Sequence, residues 1–124
     1  TTARAAGDQL TFRRPTVRED VLRRLRRGEF RAEAELDLHG MRRLDAHAAL
    51  TEFLTDSIAH GLRCVRVIHG TGLRSGPEGP VLKHVVDQWL RTVENVLAFT
   101  SARAVDGGSG ALYVLLAPLP RTTR

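Results

Sequence analysis

From Glu35 the side chains alternate: Leu36 and Leu38 are apolar, Asp37 and His39 are polar, and Gly40 closes the run. A period of two is the mark of a strand. From Leu44 to His60 the spacing turns helical, with Ala46, Leu50, Phe53, Leu54 and Ile58 on one side and Gly61 as the stop. A second strand, CVRVIHG, follows and ends like the first on His-Gly, here His69 and Gly70. Residues 70–80, GTGLRSGPEGP, are too rich in glycine and proline to continue either element. Helical spacing returns from Val81 to Val93 through Val81, Leu82, Val85, Val86, Trp89 and Leu90. VLAFTSA from Val96 predicts a third strand, RAVDGGSG a glycine-rich turn, and ALYVLLAPL a last strand stopped by prolines.

Residues 1–15 show no period and read as an extended arm. A helix is predicted from Thr16, its N-cap, with Glu19 as capping-box partner, to Gly28. Val17, Val21, Leu22 and Leu25 share one side of it; Arg23, Arg24, Arg26 and Arg27 occupy the other, as a solvated face or a phosphate-contacting one. The expected architecture is α/β, a compact two-layer βαβαββ domain over residues 34–120 with a four-stranded mixed sheet, preceded by a basic N-terminal arm and helix over residues 1–33. Two right-handed crossovers make the first three strands parallel, and the short last connection sets the fourth antiparallel to the third. A chain of 124 residues suits one such domain.

Composition adds three constraints. No apolar run approaches the roughly 18 residues of a membrane span, and nothing near Thr1 resembles a signal peptide, although a start without methionine fits a piece of a longer protein. The single cysteine, Cys64, excludes an internal disulfide and a cysteine-rich zinc site; in its strand it reads as a small buried hydrophobe, and the expected setting is a reducing, cytoplasmic one. The net charge of +5 is uneven: residues 1–34 hold nine arginines against five acids. Eighteen of the 19 basic residues are arginine, whose planar fork suits phosphate.

Ligands of open α/β sheets bind beyond the carboxyl ends of parallel strands, and both His-Gly pairs end strands at that edge. His39 and His69 are expected to emerge side by side there, Asp37 is in phase with His39, and Gly40, Gly70 and Gly72 let backbone approach a ligand. Two histidines and a carboxylate fit three chemistries: metal ligation, acid–base catalysis on a phosphodiester, or a buried structural hydrogen bond. A serine triad fails, because Ser109 precedes a strand rather than occupying a strand-to-helix elbow. HGTGLRSG lacks the Gly-Lys-Ser/Thr ending of a nucleotide-hydrolysing loop. His47, His60 and His84 lie on predicted helices, where exposed or capping roles are commoner.

Together ELDLHG at 35–40, VRVIHGTG at 65–72, LKHVVDQWL at 82–90 and DGGSGALYVLL at 106–116 resemble the Smr (small MutS-related) domain over about residues 34–117. The leader LTFRRPTVREDVLRRLRRGEF resembles the N-terminal extension of its stand-alone bacterial members. The resemblance implies a βαβαββ fold, nucleic-acid binding and endonuclease activity, with members that nick DNA and members that cleave messenger RNA at stalled ribosomes. The family's Leu-Asp-x-His motif falls on Leu36 to His39, and its His-Gly-x-Gly motif on His69 to Gly72; Arg42 stands where the family often has a helix-capping threonine.

On that resemblance the expected function is an endonuclease, on RNA in preference to DNA, with His39 and His69 as an acid–base pair and Asp37 orienting His39. Gly40, Gly70, Thr71, Gly72, Gly107 and Gly108 would hold phosphate oxygens, and Arg42, Arg74, Lys83 and Arg103 would supply positive potential. With a ribose 2′-hydroxyl as nucleophile no metal or other cofactor is required, magnesium remaining open. The basic leader would dock on the ribosome. The alternatives are a non-catalytic nucleic-acid or ribosome-binding module and a DNA-nicking repair factor.

Overall fold

A computed structural model describes residues 9–71 and 79–119. Its elements, in chain order, are β1 (Thr11–Arg13), α1 (Glu19–Arg26), β2 (Glu35–Asp37), α2 (Arg43–Ala59), β3 (Cys64–Ile68), α3 (Gly79–Thr92), β4 (Val96–Ser101) and β5 (Ala111–Leu116). Two short 3-10 turns, Ala104–Asp106 and Gly108–Gly110, separate β4 from β5.

The strands form one sheet in the order β1-β4-β5-β3-β2. β2 and β3 pair in parallel; β5 pairs antiparallel with both β3 and β4. The last strand in sequence thus occupies the centre, between strands that the crossover through α3 leaves one place apart. Apolar side chains of β3 and β5 alternate between two cores. Val65, Val67, Leu112 and Val114 face α2 and α3, packing on Leu50, Leu54, Leu82, Val86 and Leu90. Cys64, Tyr113 and Leu115 pack with Leu25 of α1 on the other face.

Four expectations about the leader and helices change. The sheet has five strands, not four, because the arm supplies β1, paired antiparallel with β4 through Thr11–Thr100, Phe12–Phe99 and Arg13–Ala98. Leu10 is fully buried and its N–H donates to Ser101 Oγ at 2.8 Å, so burial against a distant strand, not local period, makes this segment extended. α1 starts at Glu19 with Arg18 as an N-cap that makes no side-chain capping bond; Thr16 lies in the preceding turn, closed by Val17 N–H to Arg14 C=O at 2.9 Å. α1 also covers the second face of the sheet, which adds a partial third layer. Val81, counted among the helically spaced apolar positions, is 39% exposed at the start of α3.

Candidate active site

Three segments converge at one end of the sheet. Leu38 N–H donates to Ile68 C=O at 2.7 Å, which brings the end of β2 beside the end of β3. His69 and Gly70 N–H both donate to Gly110 C=O, at 3.0 and 2.9 Å, which draws the turn before β5 onto the same edge. The fit is close: a Cβ at Gly110 would lie 3.2 Å from Thr71 Cγ2 and 3.3 Å from the Gly70 carbonyl carbon. Gly40, Gly70, Gly107 and Gly108 all have positive φ, between 57° and 116°, so the backbone turns sharply around this edge without side chains.

Asp37 and His39 form a pair on this surface. One carboxylate oxygen, Oδ1, accepts the His39 backbone N–H at 3.0 Å and meets the imidazole Nδ1 at 2.6 Å. With a carboxylate as acceptor Nδ1 carries the proton, leaving Nε2 as the outward-facing nitrogen. Both side chains are open to solvent, 62% for His39 and 48% for Asp37. Arg42 and Arg43 follow directly, exposed at the N-terminus of α2, and no side chain caps that helix. The positive end of a 17-residue helix dipole therefore lies beside the pair.

His69 is arranged differently. The two strand ends are neighbours as expected, but their imidazoles do not emerge side by side. The parallel register matches Asp37 with Ile68, one residue short of His69. His69 is thus in phase with Val65 and Val67, on the face that α2 and α3 cover, and is 0% exposed. Nδ1 hydrogen-bonds Gly70 C=O at 2.7 Å, while Nε2 is buried without a hydrogen-bond partner among the described residues. Burial pushes the imidazole down from 6.5 to about 4; the Gly70 carbonyl opposes this, the Lys83 charge adds to it, and Asp87 opposes it. The side chain is neutral at pH 7.

Of the remaining expected contacts, Lys83 does not face solvent: it is 2% exposed within α3, near enough for its charge to act on His69. Arg103 hydrogen-bonds the Tyr113 hydroxyl through Nε and the Asp106 carboxylate through Nη2, both at 3.3 Å. Gly72 and Arg74 lie outside the described residues. Cys64 is buried, and burial pushes its thiol up to about 11, so it is inert. Among the described residues no three His, Cys, Asp or Glu side chains are grouped closely enough to hold a metal ion, and no helix is long and apolar enough to cross a membrane. Sequence reasoning passed over Arg66, whose guanidinium bridges Glu35 Oε1 at 2.6 Å and Asp106 C=O at 2.7 Å. Its signal was Glu35 itself, in phase with Asp37 and His39 along β2.

The family model of the Smr domain matches residues 36–117. The chain belongs to the Smr domain family. This Smr domain superposes on YdaL, a stand-alone small MutS-related protein from Escherichia coli, with a TM-score of 0.80 and 32% identity over 92% of this chain and 87% of that one. A superposition that long takes in most of the leader. The Smr domain of Thermus thermophilus MutS2 gives a TM-score of 0.59 and 29% identity over 68% of this chain and 99% of that one. By sequence the chain is 34% identical over 107 residues to the "Probable DNA endonuclease SmrA" of Escherichia coli K12. It is 33% identical over 107 residues to the "Ribosome rescue factor SmrB" of Aliivibrio fischeri. Each alignment covers 86% of this chain but 57% of the relative, so the chain spans little more than half the length of either.

Proposed function

We propose that this Smr domain cleaves phosphodiester bonds in nucleic acid, RNA in preference to DNA, with His39 as the proton-transfer group. The observation that carries the reading is an imidazole anchored on Asp37 through Nδ1, its Nε2 open to solvent at a glycine-lined edge beside a helix N-terminus. A scissile phosphate bound there would meet Arg42 and the uncapped N-terminus of α2. The N–H groups expected to hold it at Gly70, Gly107 and Gly108 are instead donated to the Gly110, Ala104 and Arg103 carbonyls. His39 Nε2 removes the proton from the ribose 2′-hydroxyl and the 2′-oxygen attacks phosphorus. The bond to the 5′-oxygen breaks, and that oxygen leaves with a proton from water. The products are a 2′,3′-cyclic phosphate and a 5′-hydroxyl, and His39 returns its proton to solvent. Asp37 orients the ring and stabilises its charged form.

His69 takes the part of a positioning residue rather than the acid of a pair. Neutral and buried, it ties Gly70 through Nδ1 and so supports the loop that would face the phosphate. One of the similar proteins is named for ribosome rescue and another for DNA cleavage. We infer the first direction for this domain, in a cytoplasmic setting, with the exposed arginines of α1 facing ribosomal RNA.

The test is cleavage of labelled RNA and DNA, with and without a chelator, by the native chain and by His39→Ala. RNA should be cut to 5′-hydroxyl ends with chelator present, and His39→Ala should lower the rate by about 10²- to 10⁴-fold with binding retained. Magnesium-dependent cutting of both polymers would sink the mechanism, and binding without any cutting would make the domain a recognition module.

A further inference from the structure

Between the leader and the sheet lies a cleft that this mechanism leaves unused. Residues 28 and 30–33 of the leader with Ala34 and Glu35 form one wall, Arg66, Arg103, Asp106 and Tyr113 the other, and its volume is about 440 Å³. That size falls among pockets that receive small organic groups. The cleft opens on the α1 face of the sheet, the face of Asp37 and His39. Glu35, on its rim, precedes Asp37 by two residues of β2, so both carboxylates stand on one face at strand positions about 6.6 Å apart. The turn that supplies Asp106 continues directly into Gly107 and Gly108 of the strand-end edge.

The chemistry of the lining selects against phosphate. Arg66 is already matched by Glu35 at 2.6 Å, and Arg103 by Asp106 at 3.3 Å, with the Tyr113 hydroxyl donating to the same Asp106 oxygen. An anion would meet those carboxylates as well as the guanidinium groups. A neutral planar group with donors and acceptors on its edge fits better, since carboxylates accept from exocyclic amines and guanidinium forks donate to ring nitrogens and carbonyls. The leader adds Phe30, half-buried with the Arg24 and Arg63 guanidinium groups over its ring at 4.8 and 5.3 Å, and Arg31, exposed and in no ion pair among the described residues. Unstacked bases of single-stranded RNA are bound by such guanidinium planes.

We propose that this cleft receives a nucleobase next to the phosphate held at His39, which makes residues 28 and 30–33 of the leader part of the substrate site. The inference rests on the nucleic-acid reading above, but its test does not need cleavage. A short single-stranded RNA carrying one abasic nucleotide, moved position by position, is titrated into the native chain, Arg31→Ala and Glu35→Gln, each checked for an unchanged thermal midpoint. The native chain should lose about tenfold in affinity when the abasic unit reaches one position and much less elsewhere. Both variants should bind intact RNA more weakly and shrink that positional loss to about threefold or less. A loss equal at every position, or one that persists undiminished in both variants, overturns the proposal. Absence of cleavage with the positional loss retained would refute the catalytic reading alone; cleavage without it would refute the cleft alone.

Discussion

Asp37 meets His39 twice through one oxygen, at the backbone N–H and at Nδ1, so the carboxylate holds both the chain direction and the ring. Asp37→Asn keeps the shape and removes the charge. It should reduce RNA cleavage by about 10- to 100-fold, less than His39→Ala, through kcat with KM for RNA little changed; an equal loss in binding would make Asp37 a substrate contact instead. His69 governs stability. Its folded value of about 4 lies below its ordinary 6.5, so between these pH values the unfolded chain binds more protons and stability falls as pH falls. The native chain should lose about 3 kcal/mol between pH 7 and pH 4 from this group, read from urea midpoints. His69→Gln, less stable at pH 7, should show a flatter profile over that window. A native profile no steeper than the variant's would contradict the buried neutral imidazole.

At the scale of elements, β1 shows what a short strand gains from its partner. Phe12 packs on Phe99 with ring centroids 5.3 Å apart, and Arg91 lies over both rings at 4.8 and 5.6 Å. Arg14 reaches across to the carbonyls of Val96 and Val93 at 2.7 and 2.9 Å. Leu10→Ala should therefore cost about 3 kcal/mol, measured by denaturant unfolding, although it alters residues before the first strand; a loss under about 1 kcal/mol would mean the arm is not integral. The other strands and all three helices were legible because each carries enough apolar positions to display a period of two or of 3.6. β1 and β2 both have three residues, but β2 sits within the longer alternation from Leu36 to His39, whereas the pairing of β1 with β4 has no local signature. The site was legible to the same degree. The alternation along ELDLHG placed Asp37 and His39 on one face, and they are bonded. The phase of His69 relative to them depends on register between two strands, which neither strand's own pattern contains.

For the whole molecule, the exposed arginines of α1 and the strand-end edge form one cationic system if RNA spans both. Affinity should then fall steeply with salt, and Arg23→Ala, which alters an exposed residue of α1, should lower the slope of log K against log salt by about 0.7. An unchanged slope would put the leader off the nucleic acid. The position of β5 matters in a different way, for the unity of the sheet. β3 and β4 do not pair with each other; only β5, between them, joins the β2–β3 ribbon to the β1–β4 ribbon. Without Ala111–Leu116 no strand pairing among the described residues links the two ribbons, so the last strand of the domain is the one that makes them a single sheet.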